Sequence, residues 1–344
     1  MIKVENLSKV FKTSKKFPGL FGSIKGLFTR EYTEKKAVNN ISFEIASGDI
    51  VGYIGSNGAG KSTTIKIMTG ILTPTSGKVL VDGIEPYKNR QLNAKKIGVV
   101  FGQRTQLWWD LPLNESFSLL KDIYEVSEDD YKERMKFFTD VLGLDEFIMQ
   151  PVRTLSLGQR MKADLAASLL HNPKILFLDE PTIGLDVVVK EKVREAIKEI
   201  HAKYGTTIIL TTHDLQDIEE LCTKIIIIDE GRVVYNGNRE DLQKNFGNGI
   251  VLNLRFSQNE KIDETSLKNL FLEDKSFSEK GELSFSFSDG VYSIGFSKDE
   301  FSSSEILKKI LQEYQIEDFS VESTSIEDIV KKIYNTASLE RTRL

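Results

Sequence analysis

The chain of 344 residues carries a net charge of −5, is 40% hydrophobic and has one cysteine, Cys222. That length leads to an expectation of about two domains, with enough apolar content for packed cores. A single cysteine excludes an intrachain disulfide, the acidic balance argues against nucleic acid as the main partner, and no apolar run approaches the ~18 residues of a membrane span. The start, Met1-Ile-Lys-Val-Glu-Asn, lacks a signal peptide's apolar core, so the expected compartment is a reducing cytoplasm.

In chain order, Ile2 to Phe11 alternates like a strand, and Ala37 to Ile45 does so again. Between them lies a basic block: residues 1–36 hold nine Lys or Arg against Glu5, Glu31 and Glu34. Phe17, Leu20, Phe21, Ile24, Leu27 and Phe28 recur there at spacings of three and four, which predicts a short amphipathic helix. The apolar run Ile50 to Ile54 then leads into Gly55-Ser-Asn-Gly-Ala-Gly-Lys61-Ser62-Thr63, a full match to G-x-x-x-x-G-K-[ST] in its required place between strand and helix.

Each residue type in that loop has a physical reason. Gly55, Gly58 and Gly60, with Asn57 among them, let successive backbone N–H groups close around phosphate oxygens at a helix N-terminus. Lys61 is placed to reach the β- and γ-phosphates and Ser62 to offer its hydroxyl to Mg²⁺. The stretch therefore predicts binding of a nucleoside triphosphate.

Gly70 is expected to end the first helix, and strands are expected at Lys78–Val81 and Ile97–Phe101. From about residue 104 to 170 the pattern is helical, with Phe117, Leu120, Ile123 and Tyr124 on one face, which predicts a helical subdomain. Strand and helix then alternate, with helices capped by Asp186 and Asp214, and continuous runs such as Ile225 to Ile228 suit a parallel sheet covered on both faces. Near residue 246 the character changes to a βαββαβα tail, so the domain expectation is 1–245 and 246–344.

A second acidic element separates one class of NTPase from another. Ile175 to Leu178 is an apolar strand ending in Asp179 and Glu180, the first suited to the Mg²⁺ shell and the second to the water that attacks the γ-phosphate. Between the loop and this strand lies Leu155-Ser156-Leu157-Gly158-Gln159, which resembles the signature motif of ABC-type ATPases and also reads as a capping box from Ser156 to Gln159.

That resemblance covers residues 1–240 and implies several further roles. Phe11 falls where an aromatic stacks on adenine, and Gln103 resembles the glutamine linking the nucleotide and metal site to the helical subdomain. Asp186 belongs to the loop after the second acidic motif, and His213 resembles the γ-phosphate-contacting histidine. Thr63 completes the ATP-binding loop, and Ser156, Gly158 and Gln159 are expected to act in trans, on the ATP of a second subunit. Two positions depart from the family pattern: Leu157 stands where glycine is usual and Phe11 where tyrosine is commoner. The segment from Phe101 to Pro112, with Trp108 and Trp109, is similar to one exporter branch of the family.

The resemblance thus implies an α/β fold, a P-loop core of the ABC type with an antiparallel β subdomain and a helical subdomain, followed by a small α+β domain. It implies an ATPase using ATP and Mg²⁺, dimeric with itself or with a paralogous ATPase, bound to permease subunits at the cytoplasmic face of a membrane. Export is the expected direction, with an importer subunit or a soluble ABC ATPase as the alternatives.

Overall fold

The computed structural model describes residues 1–14, 32–102, 104–247, 249–256, 264–272, 274, 277, 280–288 and 290–342. The apolar stripe from Phe17 to Phe28 and Gln103 lie outside them. The chain divides into two compact units, Met1–Arg239 and Glu240–Leu344.

The first unit opens with β1 (Ile2–Ser14), β2 (Tyr32–Ile45), β3 (Ile50–Gly55), α1 (Lys61–Met68), β4 (Ser76–Val81), α2 (Arg90–Ala94) and β5 (Ile97–Phe101). It continues with α3 (Leu113–Ile123), α4 (Glu128–Leu142), α5 (Leu157–Leu169), β6 (Ile175–Asp179), α6 (Val187–Tyr204), β7 (Thr207–Thr211), α7 (Leu215–Leu221), β8 (Lys224–Asp229) and β9 (Arg232–Asn238). Helix α8 (Arg239–Phe246) begins where the units divide.

A three-stranded antiparallel sheet, β2-β1-β4, and a six-stranded sheet, β5-β6-β7-β3-β8-β9, form the first unit's two layers. In the larger sheet β5, β6, β7, β3 and β8 run parallel and β9 closes one edge antiparallel. Ile225 to Ile228 and Ile208 to Leu210 are buried on both faces, as their unbroken apolar runs require. Val4, Phe43 and Ile45 share one core cluster with Tyr53, Phe177 and Ile226, so the antiparallel layer packs on the parallel one. At about 1.5–3 kcal/mol per fully buried large apolar side chain, this cluster makes a large contribution to the unit's stability.

Helix ends follow the expected chemistry. Helix α6 begins at Asp186, whose carboxylate accepts from the Val189 N–H, and stops at Gly205, which takes φ 63°. In the helical block Phe117, Leu120, Phe138 and Leu142 are buried. One expectation is corrected here. Ile123, placed with Phe117 on the apolar face, is 57% exposed, because at 3.6 residues per turn it lies about 120° round α3 from Phe117, whereas Tyr124 comes back to within about 20°.

The second unit contains β10 (Gly249–Phe256), α9 (Glu264–Leu272), β11 (Ser284–Ser288), β12 (Val291–Ser297), α10 (Ser303–Glu313), β13 (Ile316–Ser323) and α11 (Ile326–Thr342). Its sheet order β11-β12-β10-β13, antiparallel throughout, is that of a split βαβ fold. Leu252, Leu254, Ile294, Phe271, Phe301 and Ile306 belong to its own core cluster. Among the described residues no helix is long and apolar enough to cross a membrane.

Candidate nucleotide site

Strands β3, β7 and β6 are neighbours and run parallel, so the loops leaving their carboxyl ends converge. Together with β1 and β2 they border an open cavity of about 400 Å³ lined among others by Phe11, Lys35, Asn57, Lys61, Glu180 and His213. Gly58, Gly60, Ser62 and Thr63 also line it.

The loop after β3 is pinned on both sides. On one side the β8–β9 turn holds it, the Gly231 N–H donating to Ala59 O at 2.9 Å while Gly231 O accepts from the Asn39 N–H of β2 at 2.8 Å; on the other, Gly60 lies against Ala37 of β2. Gly60 sits at φ 107°, and a Cβ there would lie 2.3 Å from Ala37 O, so neither the backbone angle nor the space admits another residue. Gly55 meets the same limit, its Cβ position being 2.5 Å from Ile228 O.

The Lys61 ammonium donates to Gly55 O at 2.5 Å and to Ser56 O at 3.4 Å, curled over the loop it closes. Burial holds its pKa below the ordinary lysine value, against the opposing pull of Glu180 and Asp179. Ser62 is exposed toward the cavity.

At the end of β6, Asp179 Oδ1 accepts from the Thr211 hydroxyl at 2.5 Å. Glu180 takes φ 58°, a left-handed conformation that costs a non-glycine residue about 1–3 kcal/mol and persists only where its surroundings fix it. Its N–H donates to Thr211 O at 2.9 Å. Its Oε2 accepts from the His213 N–H at 3.2 Å, and Oε1 lies 3.3 Å from His213 Nε2. Burial pushes the Glu180 carboxyl above its ordinary pKa, with His213 and Lys61 opposing. A carboxyl moved toward neutrality in that way suits a general base.

The donors available for a metal are hard oxygens, the Ser62 hydroxyl and the Asp179 carboxylate. Among the described residues no group of three or more His, Cys, Asp or Glu gathers into a protein-made metal site. This set fits Mg²⁺, which takes one or two protein oxygens and completes its shell with substrate phosphates and water.

The signature residues lie apart from this cluster. Ser156 Oγ accepts from the Gln159 N–H at 3.2 Å and Gln159 Oε1 from the Ser156 N–H at 2.9 Å, a complete capping box at the start of α5. Neither Ser156, Gly158 nor Gln159 lines the cavity. Gly158 packs on α6, where a Cβ would lie 2.8 Å from Val189 Cγ1. Leu157, the departure from the family pattern, lies against the loop carrying Asp186: a Cβ on Gly184 would sit 3.1 Å from Leu157 Cδ2. Of the other histidines, His171 stacks on Tyr124 with ring centres 3.9 Å apart, and His201 bonds Thr206 O.

A cavity-lining lysine and a buried threonine that anchors the acidic pair escaped the sequence reading. Lys35 faces Phe11 directly across the β1–β2 pair, and that register was the signal that could have found it. Thr211, which holds both Asp179 and Glu180, carries no motif of its own.

Comparison with known proteins agrees with this geometry. A family model described as ABC transporter matches residues 38–183. The linearmycin resistance ATP-binding protein LnrL of Bacillus subtilis is 32% identical over 228 residues, covering 66% of this chain and 73% of that protein. The energy-coupling factor transporter ATP-binding protein EcfA2 of Clostridium perfringens is 32% identical over 248 residues, 71% of this chain and 81% of that one. An ATP-binding cassette solved as a dimer in a post-hydrolysis state, bound to ADP and Pi, superposes with a TM-score of 0.58 at 27% identity, over 69% of this chain and 98% of that one. The chain belongs to the ATP-binding subunits of ABC transporters and is an ATPase.

Proposed function

We propose that this ATPase is the motor subunit of an exporter, working as a pair of subunits that close over two ATP molecules and reopen on hydrolysis to drive a partner permease. The observation that carries the paired arrangement is the separation of two phosphate-binding elements. The cavity holding Lys61 is open, while the capped N-terminus of α5, with Ser156 exposed, contributes nothing to it. A helix N-terminus of this kind favours an anion, and a second subunit supplies one. Exposed Ile183, Val187 and Val188, beside the signature, are apolar surface of the sort an interface covers.

In this reading Gly55, Asn57, Gly58, Gly60, Lys61 and Thr63 bind the phosphates and Phe11 stacks on adenine. Ser62, Asp179 and Gln103 hold Mg²⁺, which neutralises charge on the β- and γ-phosphates. Glu180 takes the proton of the attacking water, His213 contacts the γ-phosphate, and Asp186 follows the Glu180 segment to the subunit boundary.

Export is supported by the segment around Trp108 and Trp109, which are 38% and 49% exposed, and by LnrL, whose name ties that protein to resistance. The relative EcfA2 keeps an energy-coupling factor assembly as the second reading. The test of pairing mixes Lys61→Ala subunits with Ser156→Arg subunits. The mixture recovers turnover from one competent site per mixed dimer, whereas activity that stays at the level of the separate variants at every ratio overturns the arrangement. Co-purification of the untagged permease, followed by transport in vesicles of known orientation, decides direction.

A further inference from the structure

Behind the cavity lies a buried charged cluster to which no motif points. Asp217, on α7, is fully buried, and so are Thr182 and Thr212, while Arg194 of α6 is 2% exposed. Asp217 Oδ2 accepts from the Thr182 hydroxyl at 2.6 Å and from the Thr212 hydroxyl at 2.8 Å. Its Oδ1 accepts from Arg194 Nε at 2.7 Å.

The two threonines are not arbitrary partners. Thr182 lies two residues after Glu180, and Thr212 immediately precedes His213. One carboxylate oxygen therefore joins the loop leaving β6 to the loop leaving β7, the two segments that bring Glu180 and His213 to within 3.3 Å of each other. The residue on the far side of His213 is tied as well: Asp214 accepts from Lys190 of α6 at 2.6 Å, and its N–H donates to the Thr212 hydroxyl at 2.9 Å.

A buried ion pair is weak support for stability, since apolar residues of similar volume often do as well. What it supplies here is geometry. Glu180 holds a left-handed backbone that its neighbours must fix. Thr211 fixes it from the strand side, and the Asp217–Thr182 bond fixes the turn that follows.

We infer that Asp217 is a positioning residue for hydrolysis. It sets the pose of Glu180 and His213 through the Thr182 and Thr212 hydroxyls, with Arg194 orienting its carboxylate. The inference rests on the roles proposed above for Glu180 and His213.

The experiment uses the full chain and compares Thr182→Val, Thr212→Val, the double variant and the matching Thr→Ser variants, with Glu180→Gln in parallel. Steady-state ATPase gives kcat and KM, and equilibrium titration with a fluorescent ATP analogue gives affinity. Each valine variant is expected to lower kcat at least tenfold while affinity changes less than twofold. The serine variants, which keep the hydroxyl, restore kcat to within about threefold. The double variant falls no more than about threefold below the worse single one, because both act through one carboxylate. Glu220→Gln, which touches Arg194 from the outer side at 3.2 Å, leaves kcat unchanged. Where a valine variant does not fold, Thr212→Ala gives the same comparison.

Full kcat in the valine variants overturns the inference, as does an equal loss of affinity, serine variants as impaired as valine, or a multiplicative double variant. Retained turnover by Glu180→Gln instead overturns the assignment of the base. A dead Glu180→Gln beside fully active valine variants removes only the role of Asp217.

Discussion

Asp164 offers a test in which structure sets the magnitude. It lies on α5, is 6% exposed, and its Oδ1 accepts from the Thr105 hydroxyl at 2.9 Å and from the Gln106 N–H at 3.1 Å. Burial pushes its carboxyl up from 3.8 to about 6, the hydrogen bonds and Arg160 only partly opposing. A group whose folded pKa exceeds its unfolded value makes stability fall as pH rises between the two, because the folded chain holds the proton more tightly. About two pKa units correspond to about 3 kcal/mol of cost fully expressed above pH ~7. Asp164→Asn keeps an oxygen to accept both bonds and removes the charge. The variant is therefore expected to be the more stable at pH 7, and its advantage to shrink by about 2 kcal/mol on going to pH 4.5. Urea unfolding followed by tryptophan fluorescence reads this directly, since both tryptophans lie at 108 and 109 and the Trp109 ring faces Arg160 of the same helix at 5.5 Å. A stability difference that does not change between pH 4.5 and 7, or a variant less stable than the parent at pH 7, refutes the reasoning.

Other expectations follow from the site. Glu180→Gln should bind ATP as before, lose at least ~10²-fold in hydrolysis, and accumulate with ATP as a dimer in gel filtration; normal turnover would remove the proposed base. Gly60→Ala forces a Cβ to 2.3 Å from Ala37 O at φ 107°, so it should cost about 2 kcal/mol or more and abolish nucleotide binding. Gly58→Ala, with φ 84° and open space around the position, should cost about 1 kcal/mol in a thermal melt. A chain ending at Phe246 should stay folded and bind ATP, because the core clusters on either side of that point share no residue; precipitation or lost affinity would show that the units depend on each other.

The legible part of the molecule was the part that chemistry confines to short windows. The phosphate loop, the Asp179–Glu180 strand end and the Ser156–Gln159 capping box each sit within ten residues, and backbone geometry dictates their composition. Strand positions were readable for the same reason, since Ile225 to Ile228 has to be buried on both faces. What the sequence hid depends on long separations. Asp217 meets Arg194 and Thr182 only after β6 and β7 pair, and Thr105 meets Asp164 across 59 positions. The outward position of Ile123 was missed because a spacing of three from Leu120 masks its place about 120° from Phe117.

The seat of Leu157 against Gly184 has a consequence for how two ATP molecules communicate. Gly184 belongs to the stretch that leaves Glu180, and Leu157 adjoins Ser156, so one leucine keys together the parts of a subunit that would serve opposite nucleotides. In the paired arrangement proposed above, the path between the two nucleotides would be only a few residues long. For such a pair the expected outcome is that turnover rises with ATP concentration more steeply than a simple hyperbola. Trimming the key with Leu157→Gly should flatten that curve while leaving each site able to bind.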